Sequence, residues 1–217
     1  TNKQPFVIPL SMALLNQQGQ ALPLQLQGEA TAVADERVLS VTEAEQTFSF
    51  INVAEQPLPS LLRGFSAPVV LRYDYSRDDL LFLLQHDTDG FNRWEAGQQL
   101  ALQVIEEVVG QIYETDEPMI DTRLVEVFAA LLAQEDLDPA MLAEFLALPG
   151  VGYIIEQYEQ ADPLAIHQAR EYVSNQLAYA LQEPMLARYQ ALRKVSLATP
   201  YVAQDTDIAR RRLQNML

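Results

Sequence analysis

From Pro5 to Leu15 apolar and polar residues alternate, so that Phe6, Ile8, Leu10, Met12 and Leu14 fall on one side. A period of two predicts a strand with one face in a core. Asn16 to Gln20 reads as a hairpin loop in which Gly19 supplies a positive φ. A return strand follows through Leu22, Leu24 and Leu26, and Pro23 assigns it to a sheet edge because proline cannot donate to a ladder. Beyond the polar passage from Gly28 to Glu36, Val38 to Thr42, Gln46 to Val53 and Val69 to Tyr73 read as further strands. Short strands at this spacing predict an antiparallel immunoglobulin-like β-sandwich over residues 1–75. A sandwich of that size buries only about 60% of its unfolded surface, so it is expected to lean on a neighbour.

At Ser76 the period changes. Ser76 with Asp79 forms a capping arrangement ahead of the apolar block Leu80 to Leu84, and Asn92 with Glu95 repeats it before a stripe through Trp94, Ala101, Val104, Ile105, Val108 and Ile112. Further helix starts are expected at Asp121, Asp138-Pro139 and Asp162-Pro163. In the last two, aspartate caps free N–H groups and proline takes the first helical position. Shorter helices are expected within Val151 to Tyr158 and Pro184 to Val195, and a final one from Asp205. Residues 76–217 therefore read as about eight helices, an all-α superhelical stack of helix pairs, although no clean repeat is visible. Between the two regimes lies Pro57 to Leu71, reading PLPSLLRGFSAPVVL. Two prolines ahead of Leu61-Leu62, and Gly64 free to adopt a positive φ, predict a stiff, shaped crossing.

The 217 residues are 49% hydrophobic, enough for a substantial core. The formal charge of −16 sits mostly in the helical part. Residues 1–75 hold four basic and seven acidic residues, and residues 76–217 hold ten and twenty-three. Such a charge repels phosphate backbones and argues against nucleic-acid binding. The trend reverses from Met185 onward, where six basic residues face only Asp205 and Asp207. That local excess fits either basic residues near helix C-termini or a docking face for an acidic partner. With no cysteine there is neither a disulfide framework nor a thiolate metal site, which suits the cytoplasm. No stretch approaches about 18 uninterrupted apolar residues, so no membrane span is expected. The start at Thr1 and the stop at Met216-Leu217 inside a helical pattern lead to the expectation of a piece of a longer protein.

Candidate chemistry is sparse. The two histidines, His86 and His167, stand in no H-E-x-x-H context, and His167 with Glu171 reads as a surface pair at helical spacing. Gly150-Val151-Gly152 lacks the third glycine and preceding strand of a dinucleotide loop, and Glu135 to Asp138 lacks the alternating oxygens and central glycine of a calcium loop. No serine sits in a G-x-S-x-G context. Phe91 and Trp94 read as core rather than as a ligand platform. No catalytic, cofactor-binding or metal residue is assigned.

The joint supplies the remaining information. AEQTFSFINVAEQPLPSLLRGFSAPVVL, followed by HDTDGFNRWEAGQ, resembles the region after the catalytic domain in bacterial aminopeptidase N, the zinc-dependent alanyl aminopeptidases of the gluzincin class. The resemblance is carried by Pro59, Ser60, Leu61, Leu62, Arg63, Phe65, Ser66, Ala67 and Pro68, then by His86, Asp87, Phe91, Arg93, Trp94, Glu95 and Gln98. Leu137 to Ala140 and Ala161 to Ile166 fit as well. It implies a small β-sandwich that links the catalytic domain to a helical domain closing over the active site, of which this chain holds the first part. Zinc, short peptide substrates and the G-A-M-E-N and H-E-x-x-H motifs would belong to the parent polypeptide. The catalytic domain and the remaining helical domain of that polypeptide would be the partners. The rival expectation is a freestanding protein–protein interaction module.

Overall fold

The computed structural model describes residues 5–115, 117–198, 200 and 202–217. Among them are three strands, β1 (Ile8–Leu15), β2 (Glu36–Val41) and β3 (Leu58–Leu61), and eight α-helices. The helices are α1 (Arg77–His86), α2 (Gly90–Gln111), α3 (Thr122–Ala133), α4 (Pro139–Leu146), α5 (Val151–Ile155), α6 (Pro163–Ala180), α7 (Gln182–Ala198) and α8 (Asp205–Met216). The expected class therefore holds: a small antiparallel β region followed by an all-α region. The chain divides into two compact units, Thr1–Glu95 and Ala96–Leu217, a division that falls inside α2.

In the first unit the sheet order is β2-β1-β3, antiparallel throughout. Met12 and Leu14 of β1 are buried together with Leu24 and Leu39, with Phe48, Phe50 and Val53 packed around them, but Ser11, Ala13 and Leu15 are buried too, so both faces of β1 are covered over its second half rather than one. Phe6 lies ahead of β1 and is exposed. The hairpin loop forms as expected: Asn16 Oδ1 accepts from Gln18 N and Gln20 N, and Gly19 has φ 76°.

Three expected strands are absent from the ladder, and one unexpected strand is present. After Leu22 N donates to Leu14 O, Pro23 has no N–H to continue, so Leu24 bonds Ala34 instead. The stretch from Gln46 to Val53 meets its neighbour only at the isolated bridge Leu26↔Phe50, because Asn52 turns the chain at φ 60°. Val69 to Tyr73 runs without strand pairing, and Val70 is exposed. The third strand is instead β3, inside the expected joint. Pro59 is tolerated there because β3 is an edge strand, and its carbonyl accepts from the Tyr75 hydroxyl at 2.8 Å.

Helix starts are mostly where the sequence places them. Ser76 Oγ accepts from Asp79 N while Asp79 Oδ2 accepts from Ser76 N, a reciprocal cap on α1. Asp138 and Asp162 each accept two backbone N–H groups, with Pro139 and Pro163 at the first helical position. The second expected cap is displaced: Asp89, not Asn92, caps α2, accepting from Asn92 N at 2.9 Å. In the second unit α4 packs on α8, α5 on α6, and α7 on α3 and α8. Leu124, Leu131, Leu142, Phe145, Ile154 and Ile166 are among its fully buried side chains. Among the described residues, no helix is long and apolar enough to cross a membrane.

Candidate functional site: a buried polar lock

Within the first unit, polar side chains converge where hydrophobic ones would be expected. Ser60 is the third residue of β3, and pleating turns it inward, where it is fully buried. Three residues on, the chain enters a 3-10 turn at Arg63–Phe65 that folds the Arg63 side chain back toward Ser60. The facing groups come from the turn between α1 and α2: Asp87, Thr88 and Asp89, then Asn92 in the first turn of α2.

Every hydrogen-bonding capacity of the Ser60 hydroxyl is used. It donates to Asp87 Oδ2 at 2.6 Å and accepts from Arg63 Nη1 at 2.9 Å and Asn92 Nδ2 at 2.7 Å. Arg63 spreads over four partners. Nη1 also donates to Asp87 Oδ1 at 2.7 Å, Nη2 to Thr88 Oγ1 at 2.8 Å, and Nε to Glu36 Oε2 at 2.9 Å. Asn92 completes the set by donating to Leu61 O at 3.0 Å. Side-chain exposure is 6% for Arg63 and 0% for Asp87, so this ion pair has left water. Such a pair is tolerable only when further hydrogen bonds support it; here all three Arg63 nitrogens donate and both Asp87 oxygens accept, Oδ1 also from Asp89 N.

At the rim, Glu36 Oε1 accepts from the Ser11 hydroxyl at 2.9 Å. Ser11 N in turn donates to Ser66 Oγ at 2.9 Å, continuing the β1 edge where β3 has ended. The Ser11 hydrogen bond, then the Arg63 contact, hold the Glu36 carboxyl below its ordinary value against partial burial. Burial opposes the Arg63 charge, but Asp87, Glu36 and Asp89 outweigh it and hold the guanidinium above its usual value. Arg93, which donates to Leu84 O, is lowered by burial despite Asp87. On the surface beside the lock, the rings of Phe65 and Phe91 lie 5.2 Å apart and those of Phe91 and Trp94 5.8 Å apart.

The other candidates resolve as structure. His86 packs on Phe82 with ring centroids 4.8 Å apart. His167 is exposed on α6, and Glu171 pairs with Arg170 rather than with it. Gly150 precedes the five-residue α5, and Asp138 is spent on capping α4. Zinc, which the resemblance implies for the parent, does not fit this donor set. Among the described residues no three His, Cys, Asp or Glu side chains converge on a common point.

Residues 1–74 match the family described as a domain of unknown function (DUF3458) with an Ig-like fold. Residues 77–217 match its companion, described as a domain of unknown function (DUF3458_C) with ARM repeats. The chain belongs to the DUF3458_C family, with a DUF3458 domain ahead of it. Over 213 residues this DUF3458_C chain is 38% identical to aminopeptidase N of Escherichia coli K12, which covers 98% of the chain and 24% of that protein. It is 32% identical to aminopeptidase N of Haemophilus influenzae Rd over 96% of the chain and 23% of that protein. The crystal structure of Legionella pneumophila aminopeptidase A in complex with aspartic acid matches all of the chain and 24% of its own, with TM-score 0.76 and 29% identity. The chain thus spans about a quarter of the length of the relatives it matches, and it is homologous to the C-terminal portion of bacterial aminopeptidase N.

Ser60, Arg63 and Asp87 stand among the residues that carry the resemblance, and the structure brings them together. Glu36, Ser11, Thr88 and Asp89 join them without any sequence signal of their own, and Asn92, which reads as a helix cap, joins them through its side-chain amide. The available clue was a serine and an arginine three apart inside an otherwise apolar, proline-flanked segment.

Proposed function

We propose that this chain is an architectural segment of a zinc aminopeptidase that removes N-terminal residues from short peptides in the cytoplasm. In this reading residues 1–75 link a catalytic domain to a helical domain beginning at residue 76, which closes the active-site cavity. The chain's partners are then the catalytic domain and the remaining helices of the same polypeptide. The observation that carries the reading is a coincidence of two sets. Three of the residues by which the chain resembles aminopeptidase N, Ser60, Arg63 and Asp87, form the centre of the buried lock, and they are bonded to one another and to their neighbours. Groups engaged in internal bonds of this kind hold structure rather than present themselves to a substrate.

The freestanding interaction module is the second reading. It is favoured by α7, which has no buried residue and exposes Leu186 and Leu197.

The test is Arg63→Met in the parent polypeptide. An architectural lock predicts that the variant keeps stoichiometric zinc and its KM near 25 °C but inactivates at a lower temperature. Loss of zinc from a still-folded variant would contradict the reading.

A further inference from the structure

The crossing from β3 to α1 carries a feature that its role as a connector does not require. Three of the four residues from Leu62 to Phe65 have positive φ: Leu62 at 56°, Gly64 at 60° and Phe65 at 53°. Glycine takes that region freely, but in leucine and phenylalanine the Cβ crowds the following carbonyl. A backbone of this kind persists only where its surroundings over-determine it.

Those surroundings are visible. Arg63, between the strained residues, is held by Ser60, Asp87, Thr88 and Glu36. Gly64 N donates to Asp89 Oδ2 at 2.9 Å, Ser66 Oγ accepts from Ser11 N, and the Phe65 ring rests on Phe91. Asp89 has two tasks, because its other oxygen caps α2 through Asn92 N. One carboxylate therefore fastens the strained loop and starts the helix.

We propose that residues 62–68 form a strap with two states. In the closed state Asp89 and the lock hold Leu62 and Phe65 left-handed. In the open state both relax to negative φ and Phe65, already 52% exposed, leaves Phe91. Trp94 is the only tryptophan of the chain and lies against Phe91, so it reports the change. The strap belongs to the first unit alone and stands whether or not the aminopeptidase reading does.

The test separates ring from backbone. Phe65→Ala and Phe65→Gly both delete the ring, and they differ in the backbone they favour. Where φ is negative, alanine is the more stable because glycine loses more entropy on folding; where φ is positive the order inverts. In the otherwise unchanged chain, Phe65→Gly is expected to melt about 2–4 °C above Phe65→Ala. Adding Asp89→Ser, which still caps Asn92 but cannot also reach Gly64, is expected to reverse that order. With Phe65 in place, Asp89→Ser is expected to shift the Trp94 emission while leaving the far-ultraviolet circular dichroism unchanged. Alanine above glycine in the first pair, an order that survives Asp89→Ser, or an unchanged emission each overturns the strap.

Discussion

Arg63 and Asp87 have almost no exposed side-chain surface, so removing either one leaves its partner's charge where water does not reach. Arg63→Met and Asp87→Leu are each expected to lower the unfolding free energy by about 3–5 kcal/mol in urea titrations. Their combination should cost clearly less than the two losses added together, since the double variant buries no lone charge. Strict additivity would show that the two side chains do not act as a pair. Gly64→Ala isolates the backbone, because an added Cβ there meets nothing within 4 Å while φ stays at 60°. A loss of about 1–2 kcal/mol is expected, and unchanged stability would mean that the loop is not left-handed. The positive φ at Gly64 was legible because glycine inside a short proline-flanked crossing has few other uses. The same angle at Leu62 and Phe65 was not, since no local rule places bulky residues there.

Elements whose formation is decided locally were the legible ones. Asp138-Pro139 and Asp162-Pro163 begin helices because cap, proline and first turn lie within four residues of one another. Strands depend on a partner that sequence does not name. The stretches around Leu24 and Phe50 have the composition of strands yet pair at single bridges, whereas β3 forms across Pro59, where an edge position forgives the missing N–H. Asn92 has the identity of a cap, but Asp89 takes that place and frees the amide for Ser60. The start of β2 also sets an acid response. Glu36 titrates below its unfolded value in the folded chain, so its stabilising effect is complete above about pH 4.3, the unfolded value. That contribution is lost as the pH falls through the lower folded value. Glu36→Gln is accordingly expected to flatten the fall of melting temperature between about pH 5 and pH 3. An acid limb identical to that of the unaltered chain would remove Glu36 from the account.

For the molecule as a whole, the family match divides the chain near residue 75 and compactness divides it at residue 95. The second of these divisions falls inside α2 and the first ahead of α1. The second unit leaves apolar surface open. A cavity of about 250 Å³ is lined by Leu132, Leu146, Leu177, Met185, Met216 and Leu217, and beside it Leu186 is half exposed. Exposed apolar surface of this kind promotes association. The 217-residue chain is therefore expected to gain mass with concentration in sedimentation equilibrium, and Leu186→Glu is expected to suppress the gain. A monomer at all concentrations would count against an uncovered face. In the proposed reading this chain supplies architecture while the chemistry belongs to the rest of a longer polypeptide. The most direct measurement is zinc content and alanyl-anilide hydrolysis of residues 1–217 beside the longer parent polypeptide. The account predicts stoichiometric zinc and turnover in the parent and neither in the 217-residue chain; turnover by the 217 residues alone would contradict it.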